Sequence, residues 1–254
     1  MDMVDELRVF HHPKKIRYGN NGDGGYVVAD LDIKYDCYIS AGIAEEESFT
    51  KDFLQAHSYI GKENSYAFDG TIEDYPWEYT SEIQFIKRNI NNYNDYWNTT
   101  LEDLAEKYDN IFLNIDIEGY EFSWLEKLSL EHLKSFKQIT IEVHGVNNDH
   151  WHDCSHRMPL TQKVRMINKL NNTHYLIHAH GNNHTGWVEV LYEKDYDIHN
   201  LWIPNVLELT FVSKDCFDFK PNLNTTPLPI NGLDYPNRHD WLDLPLFTYP
   251  FVNI

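Results

Sequence analysis

The sequence predicts an α/β protein with one doubly wound, mostly parallel sheet of seven strands. Three observations support this fold class. Apolar runs alternate with segments of helical period from residue 37 to residue 213, which is the pattern of βαβ units. Seven of these runs fit buried strands. Polar residues directly follow most of them, as expected where a ligand binds at the carboxyl ends of strands.

The predicted strands follow one another along residues 37–40, 65–69, 83–87, 111–116, 138–144, 174–178 and 206–212. Helices are predicted between them. Residues 45–47 open the first helix, because carboxylates in a first turn complement the helix dipole. Thr99 and Glu102 have the spacing of a capping box. Pro159 opens a helix with one apolar face, formed by Leu160, Val164, Ile167 and Leu170.

The chain is interpreted as one domain with two additions. Residues 1–36 are predicted to be an N-terminal helix and a glycine-rich turn that pack on the core of residues 37–213. Residues 214–254 are rich in proline and aromatic side chains, and we expect an irregular arm. The arm would cover the core or a second copy of the chain, and the latter would make the protein a homodimer.

Composition excludes several kinds of partner. The 254 residues carry 21 Lys and Arg against 40 Asp and Glu, a formal net charge of −19 that repels phosphate backbones and anionic lipids. No apolar run reaches the roughly 18 residues of a membrane span, and the first residues lack the apolar stretch of a secretory signal. We therefore expect a cytoplasmic protein that binds neither nucleic acid nor a membrane.

The first two predicted strands end in residues that suit a nucleoside ligand. Gly42, after Ser40 and Ala41, lets the turn pass close to a cofactor at the start of the next helix. Asp69 ends the second strand, where a carboxylate can bind a pair of ribose hydroxyls. An ordinary strand-to-helix turn and a surface aspartate are the structural alternatives.

Carboxylates and histidines follow the next strands. Asp116, Glu118 and Glu121 lie within six residues, and such crowding marks a site unless the two glutamates simply begin a helix. His144 ends the fifth strand, and His178 and His180 end the sixth; each is a candidate base or ligand, with a structural role as the alternative. The histidines of residues 150–156 are interpreted as part of a loop near the pocket, because their spacing matches no structural zinc site, and a metal site is the alternative.

The segment Asp116-Ile-Glu-Gly-Tyr-Glu121 resembles the signature of the FkbM-like methyltransferases that use S-adenosylmethionine (SAM). The resemblance covers roughly residues 15–213, and further segments match in the order of one branch of that family: Asp23-Gly-Gly-Tyr26, 42–49, 67–69, 141–144 and 207–212. It implies the Rossmann-like class I methyltransferase sheet and SAM as cofactor. It also implies that Gly42 lies against the cofactor, Asp69 binds its ribose and Asp116 lies where cofactor and acceptor meet.

This sequence departs from the class I pattern in its first loop, which keeps only one glycine. Ser40 stands where an acidic residue is common, so Ser40, Ala41 and the turn Asp23-Gly24-Gly25 are added to the predicted cofactor contacts. Members of the family methylate hydroxyls of sugars, glycans and small molecules. The resemblance therefore implies O-methylation of a carbohydrate or a small-molecule acceptor.

An acceptor hydroxyl has to lose its proton, and two routes are open. His144 is predicted to be the general base, oriented by Asp116 or Glu118. Alternatively, a divalent cation, Mg²⁺ or Mn²⁺, is held by Asp116, Glu118, His144 and His180. Two other functions stay open: a metal-dependent hydrolase that uses the same cluster, and a non-catalytic methyltransferase-like interaction domain.

Overall fold

A computed structural model describes residues 3–76, 82–146, 158–194 and 197–253. Its helices are α1 Met3–Glu6, α2 Ser48–Ala56, α3 Glu102–Lys107, α4 Glu121–Lys127, α5 Leu130–Ser135 and α6 Leu160–Thr173. Its strands are β1 Lys15–Tyr18, β2 Tyr26–Ala29, β3 Cys37–Ala41, β4 Ser65–Phe68, β5 Gln84–Ile86, β6 Asn89–Ile90, β7 Asn98–Thr99, β8 Ile111–Ile115, β9 Phe136–His144, β10 His174–Gly181, β11 Trp187–Lys194, β12 Asp197–Pro204 and β13 Val206–Ser213.

The central sheet contains seven strands in the order β10-β13-β9-β8-β3-β4-β5. Six run in one direction, and β13 lies antiparallel between β9 and β10. Every predicted strand overlaps one of these seven, which confirms the predicted fold class. The strand order reverses between β3 and β8, and in open α/β sheets such a switch point leaves a crevice at the carboxyl ends of the strands.

One face of the sheet is apolar and is covered by helices. Because side chains alternate along a strand, Ile139, Ile141 and Val143 of β9 point to the same face. They belong to one buried cluster that includes apolar residues of α1 and of α3 to α6. The predicted apolar face of α6 contributes Val164, Ile167 and Leu170 to this cluster.

The other face of β9 is polar and is covered by the hairpin β1–β2. The side chain of Gln138 accepts a hydrogen bond from the backbone N of Ala29 at 2.7 Å and donates one to its carbonyl oxygen at 3.1 Å. Thr210 Oγ1 of β13 donates to the carbonyl of Val27 at 2.6 Å. These bonds satisfy backbone N–H and C=O groups of β2. The hairpin can therefore pack on a polar sheet surface without burying these groups unsatisfied.

Several local predictions are corrected. The predicted capping box of Thr99 and Glu102 is wrong, because helix α3 begins at Glu102 with Leu101 as its N-cap. The Glu102 side chain instead accepts from the hydroxyl of Thr100 at 2.9 Å. The predicted N-terminal helix is limited to one short turn, and the hairpins β1–β2 and β11–β12 were not predicted as strands. Within residues 217–253, the arm is irregular and returns to the core, where Leu228, Leu246 and Phe251 are buried.

In the part of the chain that the structure describes, every helix is too short or too polar to cross a bilayer. A homodimer through the arm stays a prediction.

Candidate active site

A cavity of about 540 Å³ lies at the carboxyl ends of β3, β4 and β8, at the switch point of the sheet. Gly42, Asp69, Asp116 and Glu118 all contribute to its wall, as the sequence predicted for a ligand site. Its volume is within the range of about 300–1,000 Å³ that small-molecule sites occupy. The sequence did not predict the residues that line another part of the wall: Asn89, Ile90, Asn91, Tyr93 and Asn98. The asparagine-rich composition of this run was the one signal for them.

Gly42 is required where the ends of β3 and β8 meet. Its φ is +77°, and a Cβ at this position would lie 1.5 Å from the carbonyl oxygen of Asp116. The backbone N of Asp116 donates to the carbonyl of Ala41 at 2.9 Å, so Asp116 continues the pairing of the two strands. Only glycine combines this conformation with this approach, and it thereby fixes Asp116 at the cavity.

Four hydrogen bonds hold the carboxylate of Asp69. Its Oδ2 accepts from the backbone N of Ile43 at 2.9 Å and of Ala44 at 3.0 Å. Its Oδ1 accepts from the backbone N and the hydroxyl of Thr71 at 2.7 and 2.6 Å. Burial favours a raised pKa for Asp69, but these bonds outweigh it, and the pKa falls below its usual range. Asp69 is thus an ionised group that orders the turn after Gly42, and its contact with a ribose stays a prediction.

The other predicted cofactor residues lie close to this turn. Ser40 donates its hydroxyl to Glu47 at 3.2 Å, and Ala41 accepts the strand hydrogen bond from Asp116. In the glycine-rich turn, Gly24 packs against Glu46, and Asp23 accepts from Asn237 of the arm at 3.3 Å. Of the predicted cofactor residues, the described cavity wall includes Gly42, Asp69 and Asp116, but not Ser40, Ala41 or residues 23–25.

A tight turn follows β8 and is held by Glu121. Glu118 and Gly119 have φ values of +55° and +99°, in the left-handed region. The backbone N atoms of Ile117 and Gly119 donate to Glu121 Oε1 at 3.2 and 3.0 Å. The same oxygen lies 3.1 Å from Nδ1 of His144. Glu121 is fully buried. Through these contacts of Oε1 it connects the signature segment to the imidazole on β9.

Three more carboxylates face the opposite nitrogen of His144. Its Nε2 lies 3.4 Å from Glu142 Oε1, 3.6 Å from Glu118 Oε2 and 3.8 Å from Asp116 Oδ1. Burial favours a lowered pKa for His144, but Glu121 and Glu142 outweigh it and raise the pKa to about 12. These carboxylates therefore favour the protonated ring. The predicted general base has to lose this proton before it can accept another.

The predicted metal group is only partly assembled. Asp116, Glu118 and His144 come together as predicted, whereas both ring nitrogens of His180 are engaged elsewhere, at 2.9 Å from Glu208 and 3.0 Å from Asp243. His180 is therefore removed from the ligand set. The described residues place Glu142 there instead: one donor atom each of Asp116, Glu142 and His144 lie within 4.8 Å of one another.

Glu142 had a signal in the sequence. It stands two positions before His144 in a strand and so shares its face of the sheet. His178 also lies outside the cluster, because its Nε2 is 2.8 Å from Asp234 of the arm. The histidine-rich loop predicted near the pocket falls in residues 147–157, outside the described residues.

The family model for the methyltransferase FkbM domain matches residues 18–203, which is most of the chain. The chain belongs to the FkbM methyltransferase family. The comparison with curated proteins finds no match. A solved structure, precorrin-6y C5,15-methyltransferase from Geobacter metallireducens GS-15, aligns with a TM-score of 0.31 and 10% identity over 71% of this chain and 81% of that chain. Membership of the FkbM family favours a methyltransferase over the metal-dependent hydrolase.

Proposed function

We propose that this FkbM-family chain transfers a methyl group from SAM to a hydroxyl oxygen of a carbohydrate or small molecule. The observation that supports this most is the continuous cavity between Asp69 and the Asp116–Glu118 turn. It extends across the carboxyl ends of three adjacent parallel strands. One ligand can therefore contact both ends of the site, as a nucleoside cofactor with a reactive group must.

The residues of the wall fit SAM in size and in charge. At about 540 Å³ the cavity has room for a nucleoside with an amino-acid tail. Asp69, which its hydrogen bonds keep ionised, and the exposed Glu118 give the wall negative charge, which complements a sulfonium cation. The side-chain amide of Asn89 offers both a donor and an acceptor, which a nucleobase edge requires, whereas that of Asn91 bonds to Asn98 and to the backbone of Asn92. When bound, SAM supplies an electrophilic methyl group.

The chain itself supplies position and charge. Gly42 fixes Asp116 at the cavity, and Glu121 fixes the turn that carries Glu118. An acceptor hydroxyl between these two carboxylates can donate a hydrogen bond to either, which orients its oxygen for in-line attack. Alignment of this kind supplies roughly 7–11 kcal/mol of a barrier. A divalent cation at the same end is the second proposed way to help the hydroxyl lose its proton.

Calorimetric titration with SAM and with its demethylated product S-adenosylhomocysteine tests cofactor binding. The matched variants are Gly42→Ala and Gly232→Ala. Both residues have positive φ, but a Cβ at Gly232 meets nothing within 4 Å, whereas at Gly42 it meets Asp116. We expect Gly42→Ala to lose binding and Gly232→Ala to keep it. No heat from either compound with the wild-type chain at millimolar concentration contradicts the proposal.

The acceptor class is tested by the formation of S-adenosylhomocysteine from SAM in the presence of sugars, oligosaccharides and small alcohols. Transfer to a hydroxyl in this panel supports the O-methyltransferase. Binding of SAM without transfer to any acceptor favours the non-catalytic interaction domain. The assays contain Mn²⁺ and Mg²⁺, so that lack of an ion is not mistaken for lack of activity.

A further inference from the structure

Nε2 of His144 faces carboxylate oxygens of Asp116 and Glu142, and one donor atom of each of these three residues lies within 4.8 Å of the others. We propose that His144 Nε2, Asp116 Oδ1 and Glu142 Oε1 bind one divalent cation of the Mn²⁺ or Mg²⁺ class. The inference deepens the proposed function, since the ion lies at the acceptor end of that site. Ion binding is nevertheless a property of the chain alone, and it can be measured without SAM or an acceptor.

The separations of the donor atoms match a shared ion. Ligands bound at about 2.1 Å are about 3.0 Å apart when adjacent in an octahedron and about 4.2 Å apart when opposite. Nε2 of His144 lies 3.4 Å from Glu142 Oε1 and 3.8 Å from Asp116 Oδ1. Both distances fall inside this interval. The third separation, between the donor atoms of Asp116 and Glu142, is no more than 4.8 Å. One central ion can therefore bind the three donors once the proton on Nε2 has left and the side chains have moved closer.

Two buried oxygens of the cluster lack a donor. Asp116 Oδ1 and Glu121 Oε2 are buried, and within the described residues they have no hydrogen-bond partner. Glu121 is fully buried and contacts His144 through its other oxygen. A buried carboxylate oxygen without a donor carries a desolvation cost. Four carboxyl groups also lie 3.1–3.8 Å from one imidazole here, and a divalent cation would offset the repulsion between them.

The residues behind the donors are arranged as they are in metal sites. Glu121 Oε1 lies at Nδ1 of His144, and a carboxylate at this nitrogen orients the ring so that Nε2 faces the ion. Glu142 accepts from Asn182 Nδ2 at 3.0 Å through Oε1 and from the Tyr26 hydroxyl at 3.4 Å through Oε2. The two proposed ligands His144 and Glu142 are therefore each oriented by buried partners on the side away from the ion.

The chemistry of the donors selects the class of ion. Two or three carboxylates and one imidazole favour a cation that accepts oxygen ligands, such as Mn²⁺ or Mg²⁺, whereas the set contains no thiolate. Glu118 Oε2 lies 3.6 Å from Nε2 on a side chain that is 70% exposed, so it can join from the cavity side. Positions left open on that side would admit an acceptor oxygen, whose pKa a bound cation lowers.

Mn²⁺ alone is the probe for this site. The full chain is dialysed against EDTA, and Mn²⁺ is titrated while the free ion is measured by electron paramagnetic resonance. We expect one tight site per chain, competed by Mg²⁺, with a pulsed-resonance coupling to one imidazole nitrogen. The nitrogen coupling separates this site from ions held by carboxylates alone, and its loss in His144→Gln assigns the nitrogen to this residue among the chain's 14 histidines.

Glu142→Gln is the test variant and Glu208→Gln its matched control. Glu208 pairs with Glu142 across neighbouring strands and is also a buried carboxylate, but its oxygens contact His180 and Asn237. We expect Glu142→Gln to weaken Mn²⁺ binding at least tenfold and Glu208→Gln to leave it within twofold. Equal loss in both variants, or wild-type Mn²⁺ without nitrogen coupling, overturns the proposal. If Glu142→Gln does not fold, the nitrogen coupling of His144→Gln decides the outcome: a coupling that persists in this variant overturns the proposal.

Discussion

His144 and His180 lie at the carboxyl ends of two strands of the same sheet, and both are buried among carboxylates. Their surroundings nevertheless differ. Both nitrogens of His180 have a carboxylate partner within 3.0 Å, and one of these, Asp243, comes from the C-terminal arm. Nε2 of His144 instead faces three carboxylates at 3.4–3.8 Å, two of which line the cavity.

This difference separates a closed ion pair from an open site. The arm covers His180 and completes its hydrogen bonds, so a ligand has no donor or acceptor left to meet there. At His144 four carboxyl groups surround one buried imidazole, and two of them, Asp116 and Glu118, line the cavity. The same residue type at the same place in the strand therefore serves the fold in one case and is available for chemistry in the other.

The largest effect is expected at the open site. His144→Gln should lower the rate of methyl transfer by about 10²–10⁴-fold, the usual contribution of a group that moves or orients a proton or holds an ion there. The rate of S-adenosylhomocysteine formation at saturating SAM measures it. His180→Gln is the control. The molecules of this variant that fold should transfer methyl groups at the wild-type rate. A His144→Gln rate within tenfold of the wild type contradicts the assignment of the open site.

The next effect is expected at the closed pair and concerns stability. His180→Ala leaves Glu208 and Asp243 without their shared cation, and removal of one partner from a buried ion pair typically costs about 3–5 kcal/mol. Urea denaturation measures this loss in the free energy of unfolding. The control is His184→Ala, an exposed histidine for which we expect a change within about 0.5 kcal/mol. Equal stability of the two variants would mean that the pair around His180 does not hold the arm.

The sequence predicted the sheet but did not distinguish the surroundings of His144 from those of His180. The seven strands are apolar runs whose burial follows from local pattern alone. The closure of His180 depends on Asp243, which is 63 positions away in an irregular arm without a periodic signal. The hairpin β1–β2 was missed for a related reason, since its strands have four residues each and are held by side chains of the sheet. Only Glu142 could have been added, from its alternation with His144.

The smallest effect concerns His174, at the opposite end of the strand that carries His180. Its ring is buried, with Nδ1 2.7 Å from the Thr173 hydroxyl and Nε2 2.7 Å from the carbonyl of Phe136. Neither partner is charged, and burial lowers the pKa of His174 to about 4. At His180, by contrast, the carboxylate of Glu208 outweighs burial, and the pKa is raised well above its usual value. The two ends of one strand are thus expected to respond to acid in opposite ways.

The sign of the His174 effect follows from the direction of its shift. An unfolded histidine has a pKa near 6.5. Between pH 6.5 and about 4, His174 is therefore protonated in the unfolded chain but stays neutral in the folded chain. The stabilisation from neutral His174 is complete above pH 6.5 and is lost as pH falls through this window, by about 3 kcal/mol at pH 4. Carboxylates titrate in the same range, so the measured quantity is the difference between wild type and His174→Gln in urea denaturation at pH 7 and pH 4. We expect the wild type to lose more stability than the variant, whereas equal losses would show that His174 takes up its proton without unfolding.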